Sequence, residues 1–420
     1  MKGRGMARGW GRSVATWVTA IAICLGISLG LTACSIPQVQ AEDRLFVNDL
    51  AAEWVDAVTL ERQAIAGVPV GGLSALAYDR SRDRFLALSD TRGDRGPARF
   101  YTLALEFDRG PDGDGDAPKI RRVRVESATA LSDRDGQPFP AGSVDPEGLA
   151  LSPRQTVFIA SEGDVRNGID PFIGEFDRAT GQLLKTLPLP PYYLPNPADA
   201  APDAPPRGIL NNLGFEALTV WPPGDRASAV EPFRLFTATE SNLAQDLDPN
   251  LPPDQRDRPP TQPQARFLHF LIGDGPPLPV SEHLYPLDPT PEDAIANGLV
   301  ELVAIDGGGH FLSLERTFSL ESGYGVKLFQ VAMGAATDTA GYGTYVGAGS
   351  AIAPARKRLL LDLTAAATQR NLDLFNLEGM AIGPRFPDGS PSLWLIADDN
   401  FQPFEQTQLV LLKLTGYRPG

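Results

Sequence analysis

The feature that most limits what this chain can fold into is a repeat. The heptapeptide DPEGLAL (145–151) returns as GFEALTV (214–220) and NLEGMAI (376–382), and in weaker form as GLSALAY (72–78). A polar residue, a small residue and then an alternating apolar run describe a strand that starts at a wet rim and enters a core. Each copy is followed, after a turn, by a second apolar strand ending in an acid: FLALSD (85–90), FIASE (158–162), LFTATE (235–240), FLSLE (311–315) and WLIADD (394–399). The terminal acids are Asp90, Glu162, Glu240, Glu315 and Asp399. They recur at intervals of roughly 75 residues, and such self-similarity marks a repeat architecture whose units bury their apolar faces against one another.

Each of the first four repeats supplies four strand-like segments. In the first they are LSALAY (73–78), RFLALSD (84–90), ARFYTLALE (98–106) and KIRRVRVE (119–126); the fourth opens with LVELVAI (299–305). The fifth ends at TQLVLLKL (407–414), one strand short, while the alternating segment AVTLERQAI (57–65) precedes the first repeat without a partner. Letting that N-terminal strand complete the last sheet closes a ring and removes its exposed edges. The expected fold is therefore all-β, a β-propeller of five four-stranded blades. A sixth blade would have to come from 334–371, which is poor in strand signal. Blades of roughly 75 residues exceed the ~40–45 of compact ones. The surplus falls in Pro-rich stretches at 186–206 and 249–263, which read as stiff surface excursions.

The N-terminus reads as an address. Lys2, Arg4, Arg8 and Arg12 precede the apolar run VATWVTAIAICLGISLGL (14–31), the two regions of an export signal. The run ends in Leu31-Thr32-Ala33-Cys34, which resembles the bacterial lipobox, whose cysteine is lipidated and becomes the first residue. On this reading 1–33 is a lipoprotein signal, 34–56 a tether and 57–420 the folded domain. The protein is exported and held through Cys34 at a bacterial membrane, facing the periplasm or the cell surface. An ordinary signal peptide or a membrane anchor is the competing reading. Cys24 leaves with the signal, so the folded body has no cysteine for a disulfide, thiolate site or nucleophile. Three histidines, His269, His283 and His310, make a multi-His zinc site a poor fit. A formal charge of −15 argues against nucleic acid, whose binding rests on Lys and Arg neutralising phosphates.

The ordered motifs Ser74–Leu76, Asp145–Leu149, Asn212–Ala217, Leu312–Arg316, Asn376–Met380 and Ala397–Asn400 resemble the phytase-like, or esterase-like, domain family of bacterial secreted proteins. The resemblance spans about 60–417. That family is named for its likeness to calcium-dependent β-propeller phytases, which have six blades. The resemblance implies a propeller and, less directly, ester hydrolysis.

The start of a first strand and the end of a second lie at one end of a hairpin. Ser74, Glu147, Glu216, Glu301 and Glu378, with the five second-strand acids, are therefore expected at one mouth of the ring. Three readings are open there. The acids hold Ca²⁺ through hard oxygen ligands, and the site hydrolyses a small anionic or ester substrate. Alternatively they lock blade to blade, or they bind a ligand without turnover as a non-catalytic propeller. For hydrolysis the candidate catalytic residues are Glu147, Glu216 and Glu378, with Arg92 and Arg316 holding an anionic group. The candidate metal ligands are Asp398, Asp399 and Asn400, the densest oxygen cluster, with Asp90 and Glu240. A Ser74–His310 nucleophile–base pair is a minor alternative, since no G-x-S-x-G elbow is present. PDGDGDAP (111–118) lacks the glycine and glutamate of a calcium loop and reads as an acidic turn. GGGH (307–310) lacks the Lys-Ser/Thr of a phosphate loop and reads as a hairpin turn.

Overall fold

The computed structural model describes residues 46–47, 49–108, 118–197, 201, 204–224, 230–252 and 258–417. The signal segment, Cys34, the tether up to residue 45 and the acidic turn at 111–117 lie outside the described residues.

Alternating apolar segments become strands because period-two burial is satisfied only in a sheet with packed faces. β1 (Ala51–Thr59) precedes a small hairpin of β2 (Ala64–Ile65) and β3 (Val68–Pro69). The first blade is β4 (Leu73–Asp79), β5 (Arg84–Ser89), β6 (Arg99–Asp108) and β7 (Lys119–Ala130). The second is β8 (Pro146–Leu151), β9 (Thr156–Ser161), β10 (Phe172–Asp177) and β11 (Leu183–Thr186). The third is β12 (Phe215–Trp221), β13 (Phe233–Thr239), β14 (Gln264–Ile272) and β15 (Leu278–Pro286). The fourth is β16 (Ala294–Ala304), β17 (His310–Ser319), β18 (Gly323–Ala332) and β19 (Arg356–Asp362). The fifth is β20 (Asn376–Arg385), β21 (Pro391–Asp398) and β22 (Gln408–Thr415), completed by β1, which runs antiparallel to β22.

The ring therefore has five blades and is closed by the N-terminal strand, as the repeat count anticipates. The closing strand lies at Ala51–Thr59, upstream of the 57–65 indicated by alternation. Segment 334–371 makes no sixth blade; it holds a loop, β19 and one helical turn, Leu363–Thr368.

Five apolar cores fill the five seams. Leu86 and Leu88 of β5 face Val157 and Ile159 of β9, while Phe85 and Ala87 face the other way, onto Trp394 and Leu411. Phe158 packs with Phe233 and Leu235, Phe267 with Phe311 and Val331, and Leu312 and Leu314 with Leu393 and Leu395. Each blade is buried on both faces, so no blade has a core of its own, and closure is a condition of stability.

The inner strands β4, β8, β12, β16 and β20 contact one another around the axis. Each carries a β-bulge at the same place, between Leu73 and Ala75, Pro146 and Gly148, Phe215 and Ala217, Leu299 and Glu301, and Leu377 and Gly379. A bulge inserts one unpaired residue and re-aims its side chain. The inserted residues are Ser74, Glu147, Glu216, Val300 and Glu378. In every blade but the fourth the residue after the bulge is small, because the next inner strand passes close by: a Cβ on Gly148 would lie 2.4 Å from the Glu216 carbonyl oxygen. Below the bulges Leu76, Leu149, Leu218, Leu302 and Met380, all at most 2% exposed, plug the channel. Polar chemistry is thereby confined to the mouth above the plug.

Candidate functional site

The bulges and the ends of the second strands surround a pocket of about 300 Å³. Register identifies the equivalent second-strand positions. Residues Ser89, Ser161, Thr239, Glu315 and Ala397 pair with the residue just before each bulge. The next residues in the chain are Asp90, Glu162, Glu240, Arg316 and Asp398, and these form the rim layer. Four blades place an acid there and the fourth places an arginine. The same blade has Val300 where its neighbours have Ser74, Glu147, Glu216 or Glu378.

Glu147, Glu216, Glu378, Asp90 and Asp398 line the pocket with Arg92, Arg316, Asn212 and Asn376. One oxygen each from Asp145, Glu147 and Glu162 lies within a 4.8 Å span, as does a set from Glu162, Glu216 and Glu240, and either group could hold a metal ion. Arg92 Nε donates to Asp145 Oδ1 at 2.8 Å, Nη2 lies 2.6 Å from Asp145 Oδ2 as an ion pair, and Nη2 donates to Asn212 Oδ1 at 2.8 Å. Arg316 Nη2 donates to Glu378 Oε1 at 2.8 Å and lies 3.7 Å from Glu240. Asn376 Nδ2 donates to the same Glu378 oxygen at 2.8 Å. Among the described residues, Asn376 Oδ1, Asp90 Oδ1, Asp145 Oδ2 and Arg316 Nε are buried without a hydrogen-bond partner.

Two guanidinium groups do not neutralise this many carboxylates, and burial disfavours their charged form. Burial, with Glu378 and Asp145 nearby, pushes Asp90 up to about 8. Burial outweighs Arg92 at Asp145, which rises to about 6, and outweighs Arg316 at Glu240, which rises to about 7. Glu147, Glu162, Glu216 and Asp398 are raised well above the carboxylate range, first by burial and then by neighbouring acids. Burial works against the charge of Arg316, but Glu378, Glu240 and Glu216 outweigh it and keep it protonated.

Of the ten first- and second-strand polar residues expected at the mouth, Asp90, Glu147, Glu216 and Glu378 line the pocket, Ser74, Glu162 and Glu240 keep the bulge or rim register without lining it, and the other three depart, each by one residue. Glu301 follows the bulge in blade four; its Oε1 accepts from Leu302 N at 2.9 Å and Leu218 N at 3.3 Å, tying blade four to blade three. Glu315 pairs with Leu299 and turns into the seam, where it accepts from Tyr285 Oη at 2.6 Å and from Lys357. Asp399 lies one past the rim layer, and its Oδ1 accepts from Gly72 N at 2.8 Å and Phe401 N at 3.1 Å. Glu162 has a similar latch, to Gly214 N at 2.9 Å.

Of the Asp398-Asp399-Asn400 cluster, Asp398 and Asn400 line the pocket and Asp399 does not; Asn400 N donates to Asp398 Oδ1 at 2.8 Å. Ser74 donates across the seam toward the Glu147 carbonyl at 3.3 Å. His310 opens β17 at the far end of its blade, 2.6 Å from Asp306, so the two residues are not brought together. Asp145 was no candidate, although it stands two residues before Glu147 in the most distinctive repeat; its signal is that no other copy has an acid there.

The family model described as phytase-like, esterase-like activity of phytase, matches residues 68–401. The chain belongs to the phytase-like family. The match takes in all five inner strands and every rim residue described above. A comparison with curated proteins finds no match. Among solved structures, the phytase-like chain is similar to the N-terminal domain of Nup159, with 11% identity over 87% of this chain and 96% of that one at a TM-score of 0.33. It is also similar to an endo-arabinase from Bacteroides thetaiotaomicron VPI-5482, with 10% identity over 82% and 94% at 0.33. At these TM-scores the likenesses carry no argument about this phytase-like protein.

The donor set of the mouth suits a hard cation. It is all oxygen, and Ca²⁺ takes six to eight oxygen ligands including carboxylates.

Proposed function

We propose that this phytase-like propeller is a Ca²⁺-dependent hydrolase that cleaves phosphate or other anionic esters at its acidic mouth. The observation that carries the reading is the convergence of buried, undercompensated carboxylates on one pocket that Arg316 also lines. Either Asp145, Glu147 and Glu162, or Glu162, Glu216 and Glu240, would hold the cation. When bound, such an ion polarises the ester oxygen and lowers the pKa of water beside it. The Arg316 guanidinium faces the anionic group of the ester, with Glu378, itself held by Asn376, fixing its plane. Arg92 is committed to Asp145 and Asn212 and positions the blade-two acids. Asp90, pushed up to about 8 and lining the pocket, carries a proton at neutral pH that its carboxyl group supplies to the departing alkoxide. The leucine and methionine plug keeps the reacting centre at one end of the channel.

Purified protein lacking residues 1–34 is expected to turn over a generic phosphomonoester with Ca²⁺ and to lose that turnover in chelator. No turnover with any divalent ion sinks the enzyme reading. Removing a charge-assisted hydrogen bond costs ~1.5–3 kcal/mol, so Arg316→Gln should lower kcat/KM by roughly ten- to a hundredfold. An unchanged kcat/KM would remove Arg316 from the site. The latches of Glu162, Glu301 and Asp399 onto neighbouring blades favour a second reading, in which these acids lock blade to blade and the propeller has no turnover; the same assay decides between them.

The location belongs to the proposal as well. The lipobox-like Leu31–Cys34 supports an exported protein anchored through Cys34. Cys34→Ser is expected to move the full chain from the membrane to the soluble fraction, and continued membrane retention refutes the anchor.

A further inference from the structure

Blade four differs from the others in a second way. Its inner strand begins at Ala294, ahead of the pre-bulge residue Leu299, and β17 continues past Arg316 to Ser319. The inner strands of the other blades begin at Leu73, Pro146, Phe215 and Asn376, at or next to the pre-bulge position. The blade-four hairpin therefore rises above the rim as an overhang on one side of the pocket. It is apolar where it faces the mouth. Ile295 is 54% exposed, Phe318 and Tyr324 have ring centroids 4.7 Å apart, and all three line the pocket. Tyr324 Oη donates to Glu405 Oε1 at 3.0 Å, which fixes the ring against the blade-five loop. The overhang thus stands beside Arg316, on the one blade that interrupts the ring of acids.

We infer that the substrate of this mouth is a monoester with one anionic group and an apolar aryl or alkyl half, not a polyanion. The inference rests on the hydrolase reading of the same site. The anionic group reaches Arg316, and the apolar half lies along Ile295, Phe318 and Tyr324. A polyphosphorylated ligand is a poor fit. Among the described residues the pocket lining includes two arginines and no lysine; both arginines are held by carboxylates, and any further phosphate would face the acids of blades one, two, three and five. An apolar half buries surface against the overhang and adds no charge to the site.

The test uses the chain lacking 1–34 with Ca²⁺ and three esters: 2-naphthyl phosphate, glycerol 2-phosphate and inositol hexakisphosphate. The expected order of kcat/KM places the naphthyl ester first and the hexakisphosphate last. Ile295→Ser should raise KM for the naphthyl ester several-fold, and Ile295→Ser with Phe318→Ala by about tenfold or more, with little change for glycerol 2-phosphate. Ile295 is exposed, so the single variant keeps the fold. Binding of 2-naphthyl phosphonate, followed by its fluorescence, is read in parallel and needs no turnover. Absence of turnover on every ester, with phosphonate binding that Ile295→Ser weakens, overturns the hydrolase reading but supports this substrate class. Preference for the hexakisphosphate overturns the inference. So does an equal effect of Ile295→Ser on all ligands, or none on any.

Discussion

In chelator, the melting temperature of this protein is expected to fall as pH rises from about 5 to about 8.5, and Ca²⁺ should restore it. The sign follows from the mouth. Asp145, Glu240 and Asp90 titrate in the folded state at about 6, 7 and 8, above the ~4 of an unfolded carboxylate. An acid whose folded pKa is raised binds more protons folded than unfolded in the interval between the two values. Stability then declines with pH through that interval and is fully retained only below the unfolded pKa. Each pKa unit is worth about 1.4 kcal/mol, so even part of these shifts removes much of a typical net stability of ~5–15 kcal/mol. A cation that occupies the carboxylates supplies the missing positive charge, and at a hundred times its Kd it adds about 2.7 kcal/mol. The stabilisation by Ca²⁺ should therefore be larger at pH 8 than at pH 5.5. Glu147→Gln with Glu162→Gln should raise the melting temperature in chelator at pH 8 and abolish the response to Ca²⁺. A chelated protein whose stability is flat or increasing over this range would refute the account, as would a response to Ca²⁺ that survives the double substitution.

The strands, the blade count and the closure were legible because two-sided burial leaves a strong trace: Leu86 and Leu88 serve one seam while Phe85 and Ala87 serve the other. The acidic mouth was legible too, since a carboxylate followed by Gly148, Ala217 or Gly379 recurs at a point where only a small residue fits. Register at the single-residue level was not. A bulge shifts pairing by one residue without changing the apolar pattern, so Glu301 looks like the counterpart of Glu378 when Val300 is the inserted residue. The same slip makes Glu315 resemble Asp90 when Arg316 occupies that layer. Arg316 and the apolar wall of blade four, on which the proposed specificity rests, were therefore hidden behind an acid that faces the seam. Asp399 misled for a related reason: of two adjacent strand-end carboxylates, alternation sends only one into the channel.

Arg266→Met is expected to cost about 3–5 kcal/mol of stability, the range for breaking a buried ion pair by removing one partner. Arg266 is 0% exposed. Its Nε and Nη2 reach both oxygens of Asp246 at 2.8 Å, and Nη1 reaches Glu282 Oε1 at 2.8 Å and the Tyr342 carbonyl at 2.9 Å. The guanidinium lies 4.0 Å from the centroid of the Tyr345 ring. Glu282 also accepts from the hydroxyls of Tyr193 at 2.6 Å, Tyr192 at 3.0 Å and Tyr345 at 3.1 Å. The network thus joins the excursion carrying Tyr192 and Tyr193 to the one carrying Tyr342 and Tyr345, over blade three. Methionine fills much of the volume but leaves Asp246 and Glu282 buried with no cation. Arg266→Lys keeps the charge without the planar fork and should fall between wild type and methionine. Adding Asp246→Leu to Arg266→Met removes one orphaned carboxylate and should recover part of the loss, which separates the cost of unpaired charge from that of lost packing. Urea denaturation gives all four free energies at one pH, with limited proteolysis reporting whether the two excursions open first. If Arg266→Met costs less than about 1 kcal/mol, near the level of an exposed pair, the network does not hold these excursions in place. No recovery in the double variant would assign the loss to packing.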